Sequence, residues 1–451
     1  MIKKIFLFSV IISQLTISCS GSDELDNASE ESLTAQIATI TKQPYSKLTP
    51  AEQKVKLEAE ANEMLVQMNK SKTSGAIEAI QNLGNLLSIT SVDIFNGKND
   101  NEIEEILNVS GVYGIYTWNN AKKIWIKTAS TSELKFVFPA KATQTVNNAT
   151  LSSKSNSSNI KVKLEDSYNW QTGTTINDEF YLPTSVDATL TIDNAQAATF
   201  ATTAKYTGTV ETPDESSFKM VLNDGYAYEI TGSKKATQNT AKSSFTYNGK
   251  NLVSFTAGST ADIDALIEDD ALIQYQGKAN GLVQIMDNFI IVAEMDIATQ
   301  SKDEEALEKS LDYPSYPDYE NPKADYKAYY TAENTYNKKY SEGNVVNSNK
   351  NLKLILVSKK DGTKIADVIY RSEKEYNYDA ELPVWIKDSY YSTGGYWTTT
   401  GNGATITIQY YEEVLYLKFN DSTEVAMSTY FSEGFDNLET KFEDFLKAFE
   451  R

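Results

Sequence analysis

Four tight-turn dipeptides, Asp193-Asn194, Asp224-Gly225, Asn248-Gly249 and Asp361-Gly362, each stand between stretches rich in strand-forming residues, and they constrain the fold more than any other feature. Such pairs accept the positive φ values of short hairpin loops, so each predicts two antiparallel strands joined directly. From Gly111 the apolar pattern also takes a period of two. Residues 112–118, a turn at Asn119-Asn120 and residues 124–127 predict a hairpin, and residues 134–138 a third strand. Repeated hairpins with alternating polar faces imply one large antiparallel sheet, twisted or curved into a half-barrel.

Helical spacing frames that sheet. Thr49 as cap, Pro50 at the first helical position and Glu52 closing a capping box predict a helix start. Leu57, Ala61, Met64, Leu65 and Met68 then give it a single buried stripe. Ser74 opens a second helix, with Ile77, Ile80, Leu83 and Leu87 on one side. Residues 262–272 predict a short helix, and the polar segment 303–340, with Pro314, Pro317 and Pro322, a helix followed by an ordered loop. A C-terminal helix over 436–449 has Leu438, Phe442, Phe445, Leu446 and Phe449 on its apolar side. The fold class is α+β: a large antiparallel sheet with an N-terminal helix pair and a C-terminal helix. The chain divides into 1–18, a signal peptide; 19–47, a flexible tether; 48–110, helical; 111–300, antiparallel β; 301–345, rich in Tyr and Pro; and 346–451, β hairpins with the final helix.

The composition narrows the chemistry. A net charge of -20 over 451 residues repels phosphate backbones, so no nucleic acid is expected as a partner. Histidine is absent, which removes Ser-His-Asp and Cys-His catalysis and every imidazole metal site. The single cysteine, Cys19, allows no intrachain disulfide and no thiolate cluster.

At the N-terminus Lys3 and Lys4 precede an apolar run over 5–15, with small Ser18 directly before Cys19. This is signal-peptide anatomy, too short to span a bilayer. The stretch Leu15-Thr16-Ile17-Ser18-Cys19 resembles the lipobox read by signal peptidase II. Thr16 stands where the commonest pattern has Leu, a looser form similar to that of lipoproteins of the Bacteroidota. The resemblance implies cleavage before Cys19, lipid on that cysteine and residence at the outer membrane. Ser22-Asp23-Glu24 and Asp26 resemble the acidic signal that sends such lipoproteins to the cell surface; the other reading is a solvated linker on a periplasm-facing protein. Residues 114–119 with Trp125 and Phe136-Val137-Phe138-Pro139, and Phe419-Asn420-Asp421-Ser422 running into Tyr430-Phe431, resemble the same lipoproteins. That resemblance carries no activity, and no functional residue is transferred from it. Asp421-Ser422-Thr423 is similar to the short O-glycosylation site of exported Bacteroidota proteins.

The densest unusual feature is Tyr313, Tyr316, Tyr319, Tyr326, Tyr329, Tyr330, Tyr336 and Tyr340, with Asp318, Glu320, Asn321, Asp325 and Asn334 among them. Tyrosine rings suit stacking on sugars or anchoring a protein, and equally suit pinning a proline-containing loop to a sheet. Tyr390, Tyr391, Tyr396 and Trp397 around Gly394-Gly395 form a second aromatic group. The glycines there either admit a ligand to the backbone or simply permit a turn. The candidate ligand-binding residues are Tyr316, Tyr319, Tyr329, Tyr330, Tyr396 and Trp397. Asp262, Asp264, Glu268, Asp269 and Asp270 lack calcium-loop spacing and read as solvated charge. Ser-x-x-Lys occurs at Ser132/Lys135, Ser158/Lys161 and Ser216/Lys219 without the companion motifs of a Ser-Lys hydrolase. No catalytic residue, metal ligand or cofactor is assigned.

The leading expectation is a non-enzymatic envelope lipoprotein, held to a membrane through its N-terminal lipid and binding a glycan or protein partner or acting as a scaffold. Two alternatives remain: a carboxylate-dependent glycoside hydrolase acting on extracellular polysaccharide, and a purely structural envelope protein.

Overall fold

The computed structural model describes residues 33–71, 73–90, 94, 106–107, 109–235, 238–268 and 276–431. Cys19, Asp269, Asp270 and the expected helix over 436–449 lie outside the described residues. The strands β1 (Gly114–Asn119), β2 (Ile124–Thr128), β3 (Leu134–Phe138), β4 (Ala149–Asn169), β5 (Thr174–Ile192), β6 (Ala195–Lys205), β7 (Glu215–Leu222), β8 (Tyr226–Ser233) and β9 (Asn239–Tyr247) form one part of the sheet. It continues with β10 (Lys250–Ser259), β11 (Ala279–Ile285), β12 (Phe289–Met295), β13 (Leu352–Ser358), β14 (Thr363–Glu381), β17 (Thr405–Lys418) and β18 (Glu424–Ala426). Together they make a 16-stranded sheet in the order β18-β17-β14-β13-β12-β11-β10-β9-β8-β7-β6-β5-β4-β3-β1-β2. The expected α+β fold with its large antiparallel sheet is therefore present, and the sheet is open, since its edge strands β2 and β18 do not pair. One pairing departs from antiparallel: β3 lies parallel to β1.

All four turn dipeptides make the hairpins they predict. Asp193 and Asn194 take φ of 51° and 64°, and Asn248 and Gly249 take 48° and 75°, the left-handed values the tight loop demands. Because every pairing from β5 to β14 is antiparallel and sequential, these four turns share one edge of the sheet, the lower edge. The connections from β6 to β7, β8 to β9, β10 to β11 and β12 to β13 leave from and return to the upper edge.

The capping box forms, with Thr49 N–H donating to Glu52 and Glu52 N–H to Thr49 Oγ1. Helix α2 (Pro50–Ser71) buries Leu57, Ala61, Met64 and Met68, and α3 (Gly75–Ile89) buries Ile77, Ile80, Leu83 and Leu87. Both lie across the strands near the lower edge. The Tyr430 hydroxyl donates to Pro50 O at one end of α2, and Tyr226 donates to Gln67 O near the other. Asn82 of α3 donates to Pro139 O, and Thr90, just past α3, to Lys123 O. The main core joins these helices to Phe136, Phe138, Leu151, Leu190, Phe200, Met220 and Phe245.

The segment read as a tether up to residue 47 is partly ordered. Helix α1 (Leu33–Thr41) seats the fully buried Ile37 against Ile290, Val292 and Val357. Those residues alternate with Phe289 and Leu356, which face α2, so α1 covers the opposite side of the sheet. Leu33, Ile37 and Ile40 stand at the i, i+4, i+7 spacing of this helix, a short signal set in a polar stretch. Beyond α1, Tyr45 bridges to Lys364, and its hydroxyl donates to Asp367.

Helix α4 (Ile263–Glu268) matches the start of the expected 262–272 helix. The segment 303–340 departs from expectation. Helix α5 (Ile297–Ser310) and a loop over 311–325 are followed by a second helix, α6 (Tyr326–Asn351), and a single turn, α7 (Met427–Tyr430), closes the described chain. Among the described residues no helix is long and apolar enough to cross a membrane.

If the crossing helices hold the sheet, Leu83→Ala costs about 2–5 kcal/mol in chemical denaturation, the range for an aliphatic side chain removed from a packed core. Val55→Ala, on the exposed side of α2, stays within about 0.5 kcal/mol of wild type.

Candidate functional site

Two hairpins outgrow the sheet. Strand β14 loses β13 after Val368 and continues to Glu381, while β5 has no β6 partner between Thr174 and Thr184. At about 3.3 Å per residue the β14–β17 hairpin outgrows β13 by roughly 43 Å, whereas the β4–β5 hairpin still buries Ile160, Val162, Phe180 and Leu182 in the main core and only its outer part stands free. The alternation of strand directions sends both past the same, upper edge.

The β14–β17 prong carries the aromatic residues singled out in the sequence. Helix α6 runs along it from near the tip to the sheet, although it has almost no apolar stripe. Amide side chains attach it to the strands. Asn334 donates to Thr407 O and accepts from Gln409 N–H, Asn337 donates to Gln409 O, and Asn349 both donates to and accepts from the backbone of Tyr370. Each amide satisfies strand groups that no neighbouring strand reaches. Ile408 is fully buried on the same prong.

The loop over 311–325 is pinned to α6 by rings. Tyr313 packs edge-on against Tyr336 at 4.9 Å, and Tyr316 against Tyr326 and Tyr329 at 5.7 and 5.1 Å. The Tyr313 hydroxyl donates to Glu333 at 2.8 Å, and hydrogen bonds to Tyr329 and Glu333 push its pKa up. Four of the five polar residues expected to serve a ligand, Asn334 among them, bond within the fold. Asp318 accepts from Glu320 N–H, Asn321 from Lys323 N–H, and Asp325 caps α6 by accepting from Ala328 N–H.

At the tip, the connection 382–404 folds into a small sheet of β15 (Val384–Lys387) and β16 (Gly395–Thr398). Trp385 and Trp397 face each other in register, 5.7 Å apart. Trp397 also meets Tyr326 at 4.9 Å and donates from Nε1 to Asn321 O. The two aromatic groups of the sequence are thus one continuous cluster: Trp385, Trp397, Tyr326, Tyr316, Tyr329 and Tyr330. Burial pushes Tyr326 and Tyr330 up in pKa. Tyr396 points the other way from Trp397 and joins Tyr391 and Tyr390. Of the six candidates, Tyr316 (62% exposed), Tyr319 (70%) and Tyr396 (37%) are open to solvent, while Tyr329, Tyr330 and Trp397 are half-buried. Gly394, at φ 78°, makes the turn, and a Cβ on Gly395 would stand 2.8 Å from the Trp385 ring, so both glycines serve the hairpin itself.

Several members were missed in the sequence. Tyr376, Tyr410 and Tyr378 stack across the prong at 4.7 and 6.3 Å, with Tyr376 and Tyr378 exposed. A β-bulge brings Tyr376 and Tyr410 together, and no spacing rule reveals it. Glu381 accepts backbone N–H bonds from Thr400, Gly401 and Gly403, which hold its carboxyl below the usual range. On the second prong, Trp170 stands at the β4–β5 turn with Tyr168 against it at 4.9 Å. Beside the main cluster Asp325, Lys327, Ala328, Thr331, Ala332 and Thr335 line a wide, shallow depression on α6.

The remaining candidates are built into the scaffold. Asp264 pairs with Lys234 at 2.6 Å, and Asp262 accepts from Ala265 N–H. Lys135, Lys161 and Lys219 of the Ser-x-x-Lys spacings pair with Glu133, Glu179 and Glu229. Ser422, at φ 68°, forms the β17–β18 turn. Comparison of the chain with family models, curated proteins and solved structures finds no match.

The Glu381 contacts set a pH dependence. Its folded pKa is depressed, so its contribution is present above the ordinary value of 4.5 and is lost as pH falls through the lower folded value. Protection factors for hydrogen exchange at the Thr400, Gly401 and Gly403 amides should fall over that acid window in the wild type and be low at every pH in Glu381→Ala. Gly395→Ala should lower the near-ultraviolet circular dichroism of the Trp385–Trp397 pair while leaving the far-ultraviolet spectrum unchanged.

Proposed function

We propose that this protein is a non-enzymatic binding protein of the outer membrane envelope, lipidated at Cys19, which recognises its partner through the aromatic tip of the β14–β17 prong. The observation that carries the reading is the number of solvent-facing rings on this one prong: Tyr316 over the packed Tyr326–Tyr329 underlayer, Tyr319 on the same loop, Tyr376 and Tyr378 stacked with Tyr410, and Tyr396 on the other face of the tip. Monomeric proteins rarely expose so many large rings together unless something docks on them. The connection 382–404 supports it further: Tyr, Trp, Ser, Thr and Gly dominate, with Lys387 and Asp388 its only charges, a composition that pairs rigid contact area with adaptable hydrogen bonding. The favoured partner is a glycan, whose apolar ring faces suit tyrosine and whose hydroxyls suit Ser and Thr.

A glycosidase needs a general acid whose pKa is raised. Among the described residues the displaced carboxyls all move downward: Glu52, Glu133, Glu179, Asp296, Asp303, Glu305, Asp361, Glu381 and Asp421. None of these nine is therefore suited to the role of that acid.

The test is affinity electrophoresis in gels containing neutral polysaccharides. Wild type should be retarded by at least one, and Tyr316→Ala/Tyr319→Ala should lose most of the retardation while melting within a few degrees of wild type. Retardation that survives the double substitution would move the site elsewhere, and release of reducing sugar would replace binding with catalysis.

A further inference from the structure

Glu333 stands among the tyrosines of α6 without a counter-charge. Other carboxylates on α5 and α6 pair with lysine: Asp303 with Lys350, Glu305 with Lys309 and Glu342 with Lys338. Glu333 does not. Its neighbours one turn away along the helix are Tyr329, Tyr330, Tyr336 and Asn337, all uncharged. The Tyr313 hydroxyl donates to it at 2.8 Å, and among the described residues no lysine or arginine pairs with it. The side chain is nevertheless half-buried.

Rings from two elements meet at this carboxylate. Burial pushes Tyr330 of α6 and Tyr410 of β17 up in pKa, and after burial the electrostatic influence of Tyr378 and Glu333 is common to both. The helix ring and the strand ring therefore stand close to the same two side chains. Tyr376 and Tyr378, stacked with Tyr410, are 51% and 48% exposed, so the corner between α6 and the hairpin opens to solvent on their side. Among the described residues the cations seated over tyrosine rings are Lys54 on Tyr430, Lys127 on Tyr116 and Lys364 on Tyr45, all outside this corner. Ring faces and a carboxylate both attract a cation, and here no side chain of the described residues supplies one.

We propose that Glu333 and the rings of Tyr330, Tyr378 and Tyr410 receive the protonated amine of an amino sugar, so that the glycan bound by this prong carries unacetylated hexosamine. This rests on the glycan reading above and adds a charge requirement to it. An ammonium gains from a carboxylate and from the negative faces of aromatic rings, and the gain grows as water is excluded. Its three N–H donors suit a carboxylate together with phenolic oxygens, which accept as well as donate. An N-acetylated sugar brings a neutral amide to the same place and leaves Glu333 uncompensated. A carboxylated or sulfated sugar is repelled by it. The net charge of -20 attracts any polycation from a distance, but that attraction is screened by salt and shared by every acidic surface. Selectivity for the amine belongs to the corner.

The experiment is titration calorimetry of the full chain with a tetramer of glucosamine and a tetramer of N-acetylglucosamine, at mildly acidic pH and physiological salt. Wild type should bind the glucosamine tetramer about tenfold more tightly. Glu333→Gln, which keeps an acceptor for the Tyr313 hydroxyl, should erase most of that preference while its retardation by neutral polysaccharide stays that of wild type. Glu413→Gln, which removes the same charge from an exposed position on β17, should keep the preference. Equal binding of the two tetramers by a wild type that neutral polysaccharide retards overturns the amine site and leaves the glycan reading standing. An equal loss in Glu413→Gln reduces the effect to bulk charge and overturns it too. Retardation by no polysaccharide, with neither tetramer bound, removes the glycan reading and this inference with it. A tetramer of lysine that binds as tightly as the glucosamine tetramer, and loses as much in Glu333→Gln, assigns the corner to a basic peptide and overturns the sugar.

Discussion

An open sheet has to cover its apolar side with something other than itself, and here that task falls to two amphipathic helices laid across the strands. The stripe of α2 reaches Phe289 and Leu356 through Leu57, and the Phe245 region through Met64 and Met68. The stripe of α3 continues the same line toward β1 and β3. A helix running along a strand would cover one or two strands; running across, α2 and α3 tie together nearly the whole width. The sheet's other face needs less, since Thr189, Thr191, Thr199, Thr203, Ser217, Lys219, Glu229 and Thr231 make it polar over β5 to β8, and the short α1 covers the apolar patch of Ile290, Val292 and Val357.

This division separates the lower edge from the upper. Tight turns and crossing helices concentrate at the lower edge. The upper edge bears the long connections, α5, α6 and both prongs, and there the chain has room to vary without disturbing the core. The edges of the sheet are guarded in the usual way: β18 has three residues, β2 has five, and β18 is further held by a two-point contact from Arg371 to Glu424.

Much of the scaffold was legible because it uses local codes. Turn dipeptides, the Thr49–Glu52 box and two apolar stripes each declare themselves within a few residues, and each forms as read. What escaped depends on partners far apart in sequence. Helix α6 is polar along most of its length and is held by Asn334, Asn337 and Asn349 pairing with strand backbones, which hydrophobic periodicity cannot detect. The tyrosine cluster was visible as composition, yet its union with Trp397 required the β14–β17 hairpin to carry residues 382–404 back to the 311–325 loop. Trp170 did have a local signal, an uncharged run between Glu165-Asp166 and Asp178-Glu179, and it was overlooked because a single tryptophan ordinarily belongs to a core.

The strand order has a kinetic consequence. From β4 through β14 every strand lies beside its predecessor in the chain, so most of the sheet can form by adding one strand to the last. Closure entropy is then met in small increments, the behaviour of repeat arrays more than of Greek-key folds. Only two steps break that order: β17 must return to β14 across the small sheet, and β3 must pass β1 to lie parallel to it. Folding of the central meander can thus run ahead while these two steps, one at each end, set the slow phases, and a growing chain can begin building the sheet before its last third exists.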